Sequence, residues 1–352
     1  MSGALALVAA GVLALVAEPA LAAPGGSPRS GALSWSMIDT GSTAHLRGLA
    51  PVSRSVIWAS GTEGTILRTT DGGATIEDVG PVDTDGLQFR SLYASSPDHA
   101  VAVSIGDNPD DMRVYVTDDG GLTWSMALQN QEPTGFFDCL TFVDKKTGYL
   151  LGDPIDGKFQ VIKTTDGGHT WLVLPENGMP PTPDEYGFAA SGTCIQSNDR
   201  GDLFIGTGGA DPARILVSKD QGHTWTVQNS PVAGGASSGI FSLSFGNGRG
   251  GVAVGGDYLM ADTVEEVAAW TDDQGATWHP ATGLGGYRAG SAWVDSAAAV
   301  VIAVGPTGSD VSRDGGRSYT SIDTGSFDAV ACVPTACFAS GESGRLARLT
   351  SN

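Results

Sequence analysis

The segment TTDGGHTW at 164–171 decides how this chain is read, because it recurs. Versions of it stand at 69–76 (TTDGGATI), 117–124 (TDDGGLTW), 218–225 (SKDQGHTW), 271–278 (TDDQGATW) and 312–319 (SRDGGRSY). The common form is Ser/Thr-x-Asp-x-Gly-x-Thr/Ser-aromatic, and only Ile76 departs from the aromatic end. The aspartates Asp71, Asp119, Asp166, Asp220, Asp273 and Asp314 follow one another at intervals of 48, 47, 54, 53 and 41 residues. A period of that size marks a repeat architecture. Each residue type has a local task in a tight turn. The short carboxylate accepts backbone N–H bonds, glycine tolerates positive φ, the hydroxyl closes a further bond and the tryptophan supplies apolar area. One active site has no use for six copies, so the segment reads as structure. One Asp per turn also offers too few oxygens for calcium.

Short apolar stretches precede each copy, among them FRSLYASSPDHAVAVSI (89–105) and FDCLTFVDKKTGYLLG (137–152). Alternation, β-branched residues and glycine punctuation make them strands. One unit is therefore four short strands, with the Asp segment between the third and fourth, which is a propeller blade. A seventh unit lacks the Asp segment. FDAVACVPTACFASG (327–341) and RLARLT (345–350) supply three of its strands, and LSWSMID (33–39) supplies the fourth. The expected fold is all-β: a seven-bladed β-propeller whose N-terminal strand closes the last blade. Closure removes the exposed edge of an open array, and a monomer is expected.

The 352 residues include 19 Lys and Arg against 39 Asp and Glu, a formal net charge of -20. That sign argues against nucleic acid and against anionic membrane surfaces. Residues 1–22 read as a signal peptide ending at Ala20-Leu21-Ala22, and 23–32 as a flexible leader, leaving 33–352 as the propeller. The mature chain is expected to be secreted or associated with the cell envelope, with no stable membrane insertion. Four cysteines fit that compartment. Cys332 and Cys337 enclose a short loop suited to a disulfide, and Cys139 and Cys194 fall at nearly equivalent positions on neighbouring inner strands. Either pair is bridged if the geometry allows, or all four are buried thiols.

The six segments resemble Asp-box repeats, also called bacterial neuraminidase (BNR) repeats. The TxDGGxTW form in seven units looks most like the photosystem II assembly and stability factor and its secreted bacterial relatives. FAASGTC (188–194) and SSGIFSLSFGNGRGGVAVGGDY (237–258) add to that likeness. The resemblance implies the propeller fold and a general binding or assembly role. It implies no single chemistry, because function lives in sites grafted on folds. That factor is known for a basic channel face, whereas this chain is acidic overall. A sialidase would be expected to show an Arg-Ile-Pro segment and six blades, and this sequence has neither feature.

In a blade, the innermost strand begins on the face that also carries the turn between strands two and three; the Asp turns lie on the other. Aligned first strands place Arg47, Arg90, Asp138, Thr193, Phe241, Gly290 and Asp328 at one channel mouth, with Arg288 competing for the sixth position. Arg90 with Asp138, and Arg47 with Asp328, come from adjacent blades. They form either a recognition ring or a clasp between blades. The turns of the same face add Glu63, Asp107, Asp153, Asp156, Lys158, Asp211, Asp257, Tyr258 and Glu342. An insertion at 175–187 brings Tyr186, and another spans 257–268. This acidic rim is either a binding surface or ordinary solvated charge. The binding set is Arg47, Arg90, Asp138, Asp153, Asp156, Lys158, Tyr186, Asp257, Tyr258 and Asp328, with no catalytic residue assigned.

Motifs for specific chemistries are incomplete. GTGGAD (206–211) opens no helix, and GDPIDGK (152–158) is followed by Phe159 where a phosphate loop needs Ser or Thr. GASSG (235–239) fits Gly-x-Ser-x-Gly without the strand–turn–helix context. Among five histidines no local pair has a metal-ligand spacing, so neither metal nor cofactor is expected. Whether the protein is an enzyme stays open. The leading expectation is an exported scaffold that binds a protein or glycan at the channel mouth, in envelope protein assembly. The alternatives are a carbohydrate-active hydrolase or lyase using mouth carboxylates and, more weakly, an oxidoreductase.

Overall fold

The computed structural model describes residues 32–351 apart from 247, 249 and 296–298. The expected signal peptide at 1–22 and nearly all of the expected leader therefore lie outside the described residues. The described chain forms seven four-stranded antiparallel sheets. Blade one consists of Leu46–Pro51, Ile57–Gly61, Ile66–Thr69 and Glu77–Asp78, and the next five repeat that order. Blade seven consists of Ala329–Val333, Ala336–Ser340 and Leu346–Ser351, with Leu33–Ile38 as its outermost strand. Closure is the expected one, and its antiparallel register runs from Leu33 opposite Ser351 to Ile38 opposite Leu346. The inner strands of successive blades pack side by side round the ring, and that of blade seven packs on that of blade one. The Leu46 amide donates to Gly341 O at 2.9 Å across this last junction.

The core lies between the blades. The second strand of blade two, Ala100–Ile105, is buried along its whole length, because a neighbouring blade covers each face. Such a strand reads as continuous apolar sequence. Outermost strands are short and exposed, as at Glu77–Asp78 and Leu172–Val173, so the rim offers little edge for pairing. The closing strand is anchored further by Trp35, whose Nε1 donates to Ser309 Oγ of blade six at 3.0 Å.

The Asp segments are the expected turns. Asp71 Oδ1 accepts from the Thr75 amide at 2.9 Å and from Thr69 Oγ1 at 2.9 Å, while Oδ2 accepts from Thr75 Oγ1 at 2.7 Å. Thr69 Oγ1 in turn accepts from the Gly73 amide at 3.0 Å. The same net closes round Asp119, Asp166, Asp220, Asp273 and Asp314. These bonds hold the Asp71 carboxyl down at about 2, the Thr75 amide contributing most. Gly72 and Gly73 take φ of 79° and 94°, and Gln221 takes the first of these left-handed positions in its own box at φ 63°.

Both cysteine pairs are disulfides. Cys139–Cys194 links the inner strand of blade three to the residue before that of blade four, with Cα atoms 5.7 Å apart. Cys332–Cys337 closes the first hairpin of blade seven. The first bridge closes a loop with sequence separation 55 and the second one of 5. Chain entropy makes the first worth about 4 kcal/mol and the second about 2 kcal/mol. Chemical denaturation of the Cys139→Ser/Cys194→Ser variant should therefore show about twice the stability loss of Cys332→Ser/Cys337→Ser. Equal losses would contradict the assignment of the longer bridge as the main staple of the ring.

Candidate functional site

The channel mouth is built by a repeated backbone irregularity. The pairing of first and second strands slips by one residue between Leu46 and Gly48, Phe89 and Ser91, Phe137 and Cys139, and Ile240 and Ser242. The residues left over are Arg47, Arg90, Asp138 and Phe241. A bulge takes its extra residue out of the ladder and re-aims the side chain. Here all four side chains meet in one cavity of about 490 Å³. Asp328, just before the inner strand of blade seven, and His45, just before that of blade one, join them.

One half of the cavity is charged. His45 Nε2 lies 2.7 Å from Asp328 Oδ2 and 3.3 Å from Arg47 Nε. The expected Arg47–Asp328 pair is present but long, at 3.9 Å, because the imidazole stands between the partners. The expected direct pair of Arg90 with Asp138 is not among the described contacts. Arg90 Nη2 donates instead to Gln88 Oε1 at 3.1 Å, and its Nε is buried without an acceptor. Burial, then repulsion from Arg47, lowers the Arg90 guanidinium to about 10, so it stays charged at neutral pH. Two mutually repelling guanidiniums, one with a buried and unsatisfied N–H, thus stand side by side in this half of the cavity.

Asp138 is 1% exposed, and neither carboxylate oxygen has a donor within reach. Its neighbour is a second carboxyl, Asp153, which can bond it only by sharing a proton. Burial, and then the Asp153 charge, push the Asp138 carboxyl well above the ordinary range. Burial raises Asp153 to about 6, opposed by the Gly187 amide, which donates to its Oδ1 at 2.9 Å. Gly187 is required over this pair, since a Cβ there would stand 2.6 Å from Asp138 Cγ. The two carboxyls are thus a coupled pair, each raised above the ordinary carboxylate range by burial.

The other half is aromatic. Phe188 stacks on Phe241 with centroids 3.8 Å apart, and Tyr287 meets Phe241 edge-on at 4.7 Å. Tyr258, 48% exposed, stands edge-on to both phenylalanines. Beyond it the blade-five insertion exposes Leu259 and Met260.

The structure thus gathers Arg47, Arg90, Asp138, Asp153, Tyr258 and Asp328 into one cavity and leaves four candidates outside its lining. Asp156 is exposed at the hairpin tip of blade three, and Lys158 Nζ donates to Glu176 O at 3.3 Å. Tyr186 supports Phe188 from behind and donates to Ala236 O. Asp257 accepts from the Leu259 amide at 2.9 Å and shapes the insertion. Thr193 belongs to a hydroxyl ladder deeper in the channel, bonding Ser191 at 2.7 Å and Ser242 at 2.8 Å. Tyr287 lines the wall where Gly290 was expected, and Arg288 is buried on Asp310 at 2.7 Å. Sequence reasoning missed His45, Phe188 and Tyr287, which lie outside the regular strands and so outside any strand alignment.

Residues 115–126, which contain the second Asp segment, match the BNR/Asp-box repeat family model. The chain is a seven-bladed propeller of Asp-box repeats. No curated protein matches its sequence. Solved structures similar to this propeller include YCF48 bound to D1 peptide, at 17% identity and TM-score 0.64, covering 90% of this chain and 97% of that one. YCF48 from Cyanidioschyzon merolae is also 17% identical, with TM-score 0.63, covering 89% and 98%. The GH74 xyloglucanase from Xanthomonas campestris is 15% identical with TM-score 0.57, covering 90% of this chain and 53% of that one. At such identities the likeness is one of fold.

The carboxyl dyad gives this Asp-box propeller a pH signature. Both folded pKa values lie above the ordinary carboxylate value, and for Asp153 this means that between about pH 4 and 6 the native state holds more protons than the unfolded chain. The contribution is fully present below that window and lost as pH rises through it. For Asp153, raised from 3.8 to about 6, the loss is on the order of 3 kcal/mol. Asp138→Asn supplies a neutral donor to Asp153 and should flatten the fall in melting temperature between pH 4 and 7. An unchanged slope would show that the two carboxyls are not coupled.

Proposed function

We propose that the channel-mouth cavity captures a peptide segment of a partner protein, with a carboxylate on Arg47 and Arg90 and an adjacent apolar side chain against Phe188, Phe241 and Tyr258. The observation behind this reading is the division of one cavity into a guanidinium half with an unsatisfied N–H and an aromatic half open to solvent. Such a division suits a ligand with both an anionic and an apolar group a few atoms apart. The exposed Leu259–Met260 tip extends the apolar surface beyond the cavity, as a segment longer than the cavity requires. Peptide binding by the YCF48 propeller, similar in fold, supports the class of ligand. The reading includes export of the chain, since two disulfides fit an oxidising compartment, and action as a monomeric scaffold in envelope protein assembly. Among the described residues no helix is long and apolar enough to cross a membrane.

Glycan hydrolysis is the second reading, motivated by Asp138, Asp153 and the likeness to a xyloglucanase fold. The dyad argues against it. Glycosidase carboxyls stand about 5 to 9.5 Å apart with a sugar between them, whereas Asp138 and Asp153 lie close enough to act directly on each other's ionisation. Asp138 is also only 1% exposed, which leaves it little surface to offer a sugar. A glycan ligand held without chemistry is left as an outcome of the test.

Binding to arrays of peptides carrying either a free or an amidated C-terminus, with matched glycan arrays, measures this directly. Peptides with an apolar residue beside a carboxylate should bind, and Arg47→Glu should weaken them tenfold or more, since a charge-assisted bond is worth about 1.5–3 kcal/mol. Tyr258→Ala, at a half-exposed position that leaves the core intact, should weaken them too. Indifference to the carboxylate, or binding unchanged in both variants, would remove the proposal.

A further inference from the structure

On the rim that carries the Asp boxes, blades two and three bring together three side chains that the mouth does not use. His99 precedes the second strand of blade two, Asp118 lies inside the blade-two box and His169 inside the blade-three box. His99 Nδ1 is 2.7 Å from Asp118 Oδ1, and His169 Nε2 is 3.3 Å from Asp118 Oδ2. One ligand atom from each residue lies within 4.8 Å of the other two. We infer that His99, Asp118 and His169 form a binding site for a divalent transition-metal ion of the zinc class, joining blades two and three at the rim.

The donor set is the first reason. Two imidazole nitrogens and one carboxylate oxygen suit Zn²⁺, Ni²⁺ or Cu²⁺, and not Ca²⁺ or Mg²⁺, which favour oxygen. Spacing is the second. Ligand bonds of about 2.0–2.1 Å in a tetrahedron separate donor atoms by roughly 3.3 Å, the observed Asp118–His169 distance. The other edges, 2.7 Å from His99 to Asp118 and within 4.8 Å from His99 to His169, bracket that spacing, and a cavity of about 210 Å³ beside Asp118 and His169 leaves room for a water as fourth ligand. Pre-organisation is the third. His99 is largely buried and oriented, and His169 is held in a box turn whose Asp166 accepts four residues on, from the Thr170 amide at 2.9 Å. Without metal, the same groups form a carboxylate bridged by two imidazoles; the ion would take the place of the two bridging protons, each neutral imidazole then carrying its proton on its other ring nitrogen. Both disulfides are formed, and no free cysteine stands among the described residues to compete for the ion.

The site is separate from the channel mouth, so its test is independent of the peptide proposal. Protein stripped with a chelator is titrated with ZnCl₂ by calorimetry, and its melting temperature is followed in parallel. One ion should bind per chain, with a rise in melting temperature, because an ion bound only by the folded state stabilises it. His169→Ala and Asp118→Asn, both at exposed positions, should lose the binding and the rise. His45→Ala, which removes the His–Asp pair of the mouth, should keep both. Absence of heat and of any melting shift in the unmodified protein would overturn the site. So would equal binding by His169→Ala and Asp118→Asn.

Discussion

Seven sheets packed side by side leave two unpaired faces unless the last meets the first. The strand Leu33–Ile38 settles this by pairing with Leu346–Ser351, so the two ends of the chain share one sheet. That pairing turns an array into a ring. The ring in turn makes a channel, and only a channel gives the first residues of seven inner strands a common place to meet. Trp35 on Ser309 and the Leu46 amide on Gly341 O spread the closure over three blades. The longest-range contacts of the molecule thus underlie the existence of the mouth.

Given the ring, chemistry divides between its two faces by strand geometry. Asp boxes fall on one rim, where each carboxylate is consumed by its own turn and held below the ordinary carboxylate range by the bonds it accepts. Bulges fall at the other end of the inner strands, where the freed residue turns into the channel. A turn satisfies its polar groups internally and can be repeated without consequence. A bulged residue has lost its ladder neighbours and must find partners across the channel. Arg47, Arg90, Asp138 and Phe241 therefore differ between blades, while the boxes stay alike.

The mouth is not a basic patch. Asp328, Glu342 and the dyad oppose the two arginines, in keeping with the net charge of -20. What distinguishes it is incomplete satisfaction. Arg90 Nε has no acceptor and Asp138 has no donor, beside an aromatic wall that reaches solvent. Buried polar groups left without partners are costly, and this cavity holds several of them close together.

Local chemistry made much of this readable from residues alone. Six Asp boxes, glycine punctuation and a leftover strand at 33–39 were enough for the blade count, the closure and the dismissal of the aspartates as a site, because turns and ladders depend on neighbours in sequence. The column Arg47, Arg90, Asp138, Phe241 and Asp328 was legible for the same reason. Only the folded ring decided who their partners are. His45 stands between Arg47 and Asp328, Asp138 makes no direct pair with Arg90 and is coupled to Asp153, and Phe188 and Tyr287 enter from connecting segments. His99 and His169 share Asp118 across a blade junction that no spacing announces. Side-chain partnership across a channel or between blades depends on distances set by the closed ring, and those distances leave no periodic trace in a one-dimensional chain.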